Sequence, residues 1–171
     1  MTAQQRFEQI YAEHVTAVHR YALRRMARGE ADDVVAEVFL IVWRRLDEVP
    51  AQPRGWLLGV ARRVASNARR GEQRRTALHE RLTAERQPHD EEPAEDSRLA
   101  QALLELPETY REALTLVAWD GLSYREAAQA LGVRESTFGV RLLRARRRLA
   151  QALARSPQAS TSNTTTPLEA R

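Results

Sequence analysis

Apolar residues recur at three- and four-residue steps through most of the chain, and glycine and proline fall between the periodic segments. Such a pattern predicts an all-α fold, because one face of a helix repeats every 3.6 residues. The first periodic segment predicts a helix over residues 3–26 that Gly29 ends. Its apolar face carries Phe7, Ile10, Tyr11, His14, Val18, Tyr21 and Leu23.

Two further helices are predicted in the first half of the chain. One covers residues 31–46 and has Asp32 and Asp33 in its first turn, where the helix dipole favours acids. Two prolines within residues 47–53 predict a loop, since proline blocks helix continuation. A third helix is predicted to begin near Arg54.

The composition changes abruptly after the third helix. Residues 88–96 hold five acids, two prolines and no large apolar residue, so they cannot bury enough surface to fold. The pattern predicts two small helical domains, residues 1–87 and 97–155, joined by a flexible acidic linker at 88–96. The polar, repetitive segment 156–171 predicts a disordered tail.

The second domain contains a helix-turn-helix pattern. Within residues 121–133, Ser123 is placed to cap a short helix and Gly132 to stop it. A basic helix follows over residues 134–149. A short helix, a glycine-containing turn and a basic helix form the arrangement that lays one helix in the DNA major groove. Ala127 and Ala128 are small enough to let two helices cross closely.

Two basic surfaces are predicted. The polar side of the basic helix could hold DNA, or be a solvated face packed on a neighbour; it carries Arg134, Ser136, Thr137, Arg141, Arg144, Arg147 and Arg148. The third helix carries a second basic surface after Trp56, which suits unstacked bases as well as a duplex backbone. Trp56 itself could belong to the core. The arginines of this surface are Arg62, Arg63, Arg69, Arg70, Arg74 and Arg75.

Apolar residues occupy more than one face of the second helix. A helix in so small a domain can bury only one broad face, so the surplus indicates either a protein partner or complete burial within the domain. The residues concerned are Val34, Val38 and Ile41 on one face and Val35, Phe39, Val42 and Leu46 on another.

Composition narrows the classes of protein. The chain has no cysteine, which excludes disulfides and thiolate metal sites. All 27 of its basic residues are arginine, and a net charge of +4 with an isoelectric point near 10.2 favours an anionic partner. No apolar run approaches the roughly 20 residues of a spanning helix. The first residues do not resemble a signal peptide, so a cytoplasmic protein is expected.

A metal site or an enzyme is not predicted. Asp32, Asp33 and Glu37 could in principle hold a metal, but acids near a helix start are usually caps. The five-residue spacing of His14 and His19 puts them on different helix faces. We therefore predict no catalytic residue, no metal and no cofactor.

Three motifs in one order resemble those of bacterial RNA polymerase sigma factors of the sigma-70 family, in the extracytoplasmic-function (ECF) subfamily. The first motif is residues 31–39, Ala-Asp-Asp-Val-Val-Ala-Glu-Val-Phe, with Trp43. The second is residues 56–65, beginning Trp-Leu-Leu-Gly-Val-Ala-Arg. The third runs from Leu106-Pro107 through 121–133 to Arg-Leu-Leu-Arg-Ala-Arg at 141–146. The resemblance spans about residues 5–154.

This resemblance implies a set of partners and binding residues. The partners are core RNA polymerase (its beta-prime clamp and beta flap), promoter DNA and an anti-sigma factor. The residues implied in core polymerase binding are Asp32, Asp33, Val35, Glu37, Phe39, Val42 and Trp43. Those implied at the minus-ten element are Arg54, Trp56, Arg62, Arg63, Asn67 and Arg70, with the loop 47–54 holding a flipped base. Those implied at the minus-thirty-five element are Arg134, Ser136, Thr137, Val140, Arg141, Arg144 and Arg147.

The chain departs from the family pattern at several positions. Ala36 stands where the clamp helix usually has glutamine, and Arg63 replaces a common asparagine. Residues 138–140, Phe-Gly-Val, replace Val-Lys-Ser, and Gly139 costs roughly 1 kcal/mol of helix propensity. Promoter preference is therefore expected to differ from that of relatives. A helix-turn-helix regulator with an N-terminal interaction domain is the alternative function.

Overall fold

The structure is a computed structural model that describes residues 2–80 and 96–155. Within these residues the chain forms seven α-helices, which confirms the all-α prediction. They are α1 (Ala3–Leu23), α2 (Arg28–Arg44), α3 (Arg54–Glu80), α4 (Asp96–Leu104), α5 (Glu108–Ala118), α6 (Tyr124–Leu131) and α7 (Glu135–Arg155), with a short 3-10 helix at Leu46–Glu48.

Helices α1, α2 and α3 pack together as the first half of the chain. A capping box starts α1: the Thr2 side chain accepts from the Gln5 backbone N–H, and the Gln5 side chain accepts from the Thr2 N–H. Val18 of α1, Val38 of α2 and Leu57 of α3 are almost fully buried in the core between these helices. Each of these helices thus buries an apolar face in this core.

The boundary between α1 and α2 differs from the prediction. Helix α1 ends at Leu23, and Gly29 lies in the first turn of α2 instead of ending α1. The prediction was wrong because glycine was interpreted as a stop signal, although it is tolerated in the first turn of a helix. Helix α2 ends at Arg44, and the 3-10 helix occupies the start of the predicted loop.

The acid that serves the start of α2 is Glu30, whose Oε2 accepts from the Ala27 N–H at 3.1 Å. Asp32 and Asp33 lie beyond the first turn, so their predicted position was wrong by about one turn. Asp32 Oδ1 instead lies 2.9 Å from His19 Nε2 of α1. This side chain therefore links two helices and does not cap one.

The short helix of the helix-turn-helix begins and ends where the sequence predicts, whereas the basic helix continues past residue 149 to Arg155. The Ser123 Oγ accepts from the Glu126 N–H at 3.3 Å, and a Glu126 carboxylate oxygen accepts from the Ser123 N–H at 2.8 Å. Gly132 ends α6 with φ of 66°, a left-handed conformation that favours glycine. Both local signals are confirmed.

The two halves of the chain pack directly against each other. Helix α3 of the first half makes its closest packing with α6 of the second half, and α5 and α6 pack on α7. Residues 88–95 of the predicted linker and the tail at 156–171 lie outside the described residues, and Asp96 already belongs to α4. The predicted domain boundaries therefore stay predictions.

Across residues 2–80 and 96–155, none of the helices combines the length and the apolar character that crossing a membrane requires.

We predict that Ser123→Ala destabilises the protein by about 1 kcal/mol, because it leaves N-terminal N–H groups of α6 without their side-chain acceptor. Urea unfolding followed by circular dichroism measures this loss. The matched control is Ser66→Ala, an exposed position within α3. An equal effect of the two substitutions would contradict the capping role.

We also predict that the free energy of unfolding depends on pH through His14. Its side chain is 16% exposed, and its buried Nε2 has no hydrogen-bond partner among the described residues. Burial lowers the pKa of His14 below 6.5; Arg54 also lowers it, and Glu13 and Glu126 oppose them. Below about pH 6.5 the unfolded chain therefore takes up a proton more readily, and stability falls until the folded pKa is reached.

Urea unfolding between pH 8 and pH 5 measures this dependence in the unchanged protein and in His14→Gln. The substitution is expected to flatten the curve below about pH 6.5, whereas His19→Gln should keep the His14 contribution. If the free energy of unfolding of His14→Gln depends on pH below about 6.5 as steeply as that of the unchanged protein, His14 is not the source of the dependence.

Candidate nucleic-acid and protein interfaces

Helix α7 has one buried face and one exposed arginine-rich face. Phe138, Leu142 and Ala145 are at most 1% exposed and pack into the second half of the chain. Of the predicted minus-thirty-five residues, Arg141 is partly exposed and the others are exposed: Arg134, Ser136, Thr137, Val140, Arg144 and Arg147. The residues predicted for the polar side of this helix therefore face outward, whereas Leu143, which the periodicity places on the apolar side, is 51% exposed.

The unusual segment at residues 138–140 divides between core and surface. The Phe138 ring is fully buried and meets the Tyr124 ring edge-on at a centroid distance of 5.7 Å. Val140 is 50% exposed on the outer face, and a Cβ at Gly139 would have nothing within 4 Å. Of these three positions, therefore, Val140 and any side chain placed at Gly139 are the ones that can contact a partner of this helix.

Four of the predicted minus-ten residues form one stripe along α3. Trp56, Arg63, Asn67 and Arg70 follow one another at steps of seven, four and three residues, which keep to one helix face. Trp56 is partly buried against the core, while the other three are exposed. The Arg70 Nη2 donates to Asn67 Oδ1 at 2.6 Å, so the two polar side chains already form a pair.

The other two predicted minus-ten residues, Arg54 and Arg62, contact the second half of the chain. Arg54 Nη2 donates to the backbone carbonyl of Asp120 at 2.6 Å. Arg62 Nε donates to Glu112 Oε1 at 2.5 Å, and this hydrogen bond raises the pKa of Arg62. In this conformation their guanidinium groups are occupied by protein acceptors.

Asp120 is a buried carboxylate at the centre of an ion cluster that the sequence interpretation missed. Its side chain is 1% exposed and accepts from Arg24, and Arg25 Nη2 lies 3.7 Å from its second carboxylate oxygen. Burial lowers the pKa of both arginines. In the sequence Asp120 simply precedes Gly121, and nothing in the neighbouring residues distinguishes a solvated acid from a buried one.

Helix α2 displays an apolar surface that continues onto α1. Leu40 is 41% exposed and Trp43 is 49% exposed, and the Trp43 ring meets Phe7 edge-on at 5.3 Å. Together with Ala36 and Phe39 they line an open groove. Large exposed apolar side chains grouped in this way mark protein interfaces. Leu40, three residues before Trp43, was absent from the predicted set, although the helical spacing could have identified it.

The predicted polymerase-binding residues occupy three environments. Asp32, Asp33, Glu37 and Trp43 are exposed and Val35 is partly buried. Phe39 and Val42 are only 4% and 0% exposed. The apolar residues on the several faces of α2 are therefore divided: some complete the core and others face solvent. Phe39 and Val42 support the surface from beneath, and Trp43 and Leu40 form it.

A helix-turn-helix, a basic third helix and an exposed apolar face on the second helix define a nucleic-acid-binding protein with a separate protein-binding surface. Residues 10–75 match the Sigma-70 region 2 family and residues 96–149 match the Sigma-70 region 4 family. A regulator with an unrelated N-terminal domain does not account for the first match.

Curated relatives agree with these matches. The chain is 33% identical over 142 residues to the ECF RNA polymerase sigma factor SigL of Mycobacterium tuberculosis, which covers 78% of this chain and 80% of SigL. It is 30% identical over 152 residues to SigM of Bacillus subtilis, covering 83% and 91%. SigE of Mycolicibacterium smegmatis is 34% identical over 164 residues, covering 87% of this chain and 62% of SigE. The chain belongs to the ECF RNA polymerase sigma factors of the sigma-70 family.

Solved structures have the same fold. CnrH, solved in complex with the cytosolic domain of CnrY, superposes with a TM-score of 0.62 at 26% identity and covers 90% of this chain and 91% of CnrH. The sigma factor RpoE of Bartonella quintana, solved with the anti-sigma factor NepR, has a TM-score of 0.59 at 22% identity, covering 88% and 98%. At 22% identity, the similarity to RpoE concerns the fold alone.

Proposed function

We propose that this chain binds core RNA polymerase and directs it to promoters, with a separate helix for each contact. The observation that carries the proposal is the placement of three different exposed surfaces: the apolar face of α2, the polar stripe of α3 and the arginine face of α7. The chain itself supplies binding, and the polymerase makes the phosphodiester bonds.

Helix α7 is proposed to lie in the major groove of the minus-thirty-five element. Ser136 and Thr137 are exposed at its N-terminal end, where the residues of a recognition helix read base edges. Arg144 and Arg147 follow on the same exposed side and suit phosphate contacts, which position the protein without reading sequence.

Helix α3 and the loop before it are proposed to contact the minus-ten element. Arg63, Asn67 and Arg70 offer exposed donors along one stripe. Ala51 and Gln52 are exposed in the loop that would receive a flipped base. An unstacked strand is held by contacts to its backbone charges together with a site for the base, and the exposed donors of α3 and the preceding loop are proposed to supply these two contacts.

The surface made by Leu40 and Trp43 is proposed to dock on the polymerase beta-prime clamp. Asp33 and Glu37 are exposed on the same helix, within two turns of Leu40. A buried apolar core with a polar rim is the usual composition of a protein interface. The second half would contact the beta flap, and an anti-sigma factor is the proposed regulator, as the resemblance to ECF sigma factors implies.

Run-off transcription tests the proposed function. Core polymerase with the purified chain is expected to initiate at defined sites in a fragmented genomic library, and core polymerase alone is not. Trp43→Ala should abolish initiation by weakening polymerase binding, whereas Leu99→Ala, at an exposed apolar position on α4, should not. If the unchanged protein and core polymerase initiate nowhere in the library, the proposal is refuted.

Arg144→Ala tests the arginine face of α7. Loss of one phosphate contact is expected to weaken binding of a minus-thirty-five duplex similarly for all sequences and to reduce the slope of log K against log salt by about 0.9. Fluorescence anisotropy between 50 and 200 mM salt measures the slope. Arg28→Ala, an exposed arginine at the start of α2, is the matched control. A slope that Arg144→Ala leaves unchanged would indicate that this face is merely solvated.

A further inference from the structure

A cleft of about 430 Å³ lies between α3 and α5. Small-molecule sites have volumes of roughly 300–1,000 Å³, so the cleft is large enough for a ligand of that class. On each of the two helices the lining positions recur at three- and four-residue steps and therefore belong to one face. The two faces are linked where Arg62 Nε donates to Glu112 Oε1 at 2.5 Å.

The cleft has an excess of positive charge. Five guanidinium groups and two carboxylates line it, and the buried carboxylate of Asp120 beside it adds a third acid. The charges that remain uncompensated therefore amount to two positive ones. A partly enclosed site with charges of one sign in excess attracts a ligand of the opposite sign. The five arginines are Arg24, Arg25, Arg62, Arg69 and Arg111.

Arg111 of α5 differs from the other arginines of the cleft because it has no protein acceptor. It is partly buried, yet no residue within 2–80 and 96–155 forms an ion pair or a hydrogen bond with it. Arg62, in contrast, uses its Nε for Glu112 and keeps its two Nη groups out of that bond. A guanidinium group offers a planar fork of donors that matches two oxygens of one phosphate. The cleft can therefore offer such forks to a phosphorylated ligand.

Arg25 is held in place inside the cleft by Tyr21. Its side chain is 18% exposed, its guanidinium carbon lies 3.7 Å from the centre of the Tyr21 ring, and its Nη1 donates to the Tyr21 carbonyl at 3.1 Å. Burial lowers the pKa of Arg25; Tyr21 and Glu112 oppose this effect, and the positive charges of Arg69 and Arg62 add to it. An anion in the cleft would stabilise this partly desolvated cation without requiring it to move.

The cleft also has an aromatic side chain. Trp119, which follows α5, lines it and is 52% exposed. Nucleic-acid bases stack on aromatic side chains whatever the base, because every base has a π-face. A tryptophan ring close to several guanidinium groups therefore combines a surface for a base with donors for phosphates.

We propose that the cleft between α3 and α5 binds a free phosphorylated nucleotide, a nucleoside diphosphate or triphosphate, with its phosphates on Arg25, Arg62 and Arg111 and its base against Trp119. The bond between Arg62 and Glu112 joins the two walls, so a ligand of limited length fits better than a continuous polynucleotide. The site does not depend on polymerase or promoter binding.

Isothermal titration calorimetry of the full chain with ADP, GDP and inorganic pyrophosphate tests the phosphate contacts at about 150 mM salt. Each nucleotide is expected to bind at one site. Arg111→Gln should weaken ADP and pyrophosphate alike by about tenfold, because it removes hydrogen bonds between charged groups. Since Arg111 has no ion pair to lose, the variant should stay folded, which urea unfolding without nucleotide checks. Arg28→Gln, at an exposed arginine of α2, is the matched control.

Trp119→Leu tests the base separately from the phosphates. The substitution is expected to weaken ADP and GDP by roughly tenfold, through loss of stacking, and to leave the affinity for pyrophosphate unchanged. Unchanged affinity for both nucleotides in Trp119→Leu would mean that the base does not contact this ring, and the assignment of a nucleotide would be wrong.

Two further results would overturn the proposal. The first is absence of ADP and GDP binding at about 1 mM, or an equal loss of affinity in Arg28→Gln and Arg111→Gln, since the second pattern indicates general attraction to a basic protein. The other is displacement of ADP by a single-stranded minus-ten oligonucleotide whose own affinity falls as much in Arg111→Gln. In that case the cleft holds a DNA strand and not a free nucleotide.

Discussion

The close crossing of α3 with α6 is the constraint on which the arrangement of the two halves depends. Because Gly55 and Gly59 carry no side chains, the backbone of α3 reaches the backbone of α6. This short separation brings Arg62 within hydrogen-bond distance of Glu112 and Arg24 within reach of Asp120. The electrostatic contacts therefore follow from a steric one: larger side chains at the crossing would hold these charges apart in water.

Within each half, most helices serve two purposes through two faces. Helix α7 buries Phe138 and Leu142 and displays its arginines, and α2 buries Val38 and Val42 while displaying Trp43. Such a division suits a small protein, because the same helix that builds the core also positions the surface residues rigidly. Helix α3 has the additional contact with the second half, so its basic residues divide between solvent-facing and internal positions.

The predictions that the structure confirms depend on local interactions. The Ser123 cap and the Gly132 stop involve groups within a few residues of each other, and the two faces of α7 follow from helical periodicity. The errors also concern neighbouring residues: they fall at the boundary between α1 and α2. Gly29 was interpreted as a stop, and Asp32 and Asp33 were placed in the first turn of α2, where the structure has Glu30.

The sequence by itself determined the helical fold, the helix-turn-helix and the family, because periodicity, caps and motif order are properties of neighbouring residues. Only the tertiary structure decided which arginines remain exposed to solvent and which bond to other parts of the protein. Arg54 and Arg63 look alike in the sequence, yet Arg54 donates to Asp120, 66 positions away, and Arg63 faces solvent. A pairing over such a separation is set by how helices pack, and packing at this crossing is decided by two glycines whose partners lie on another helix.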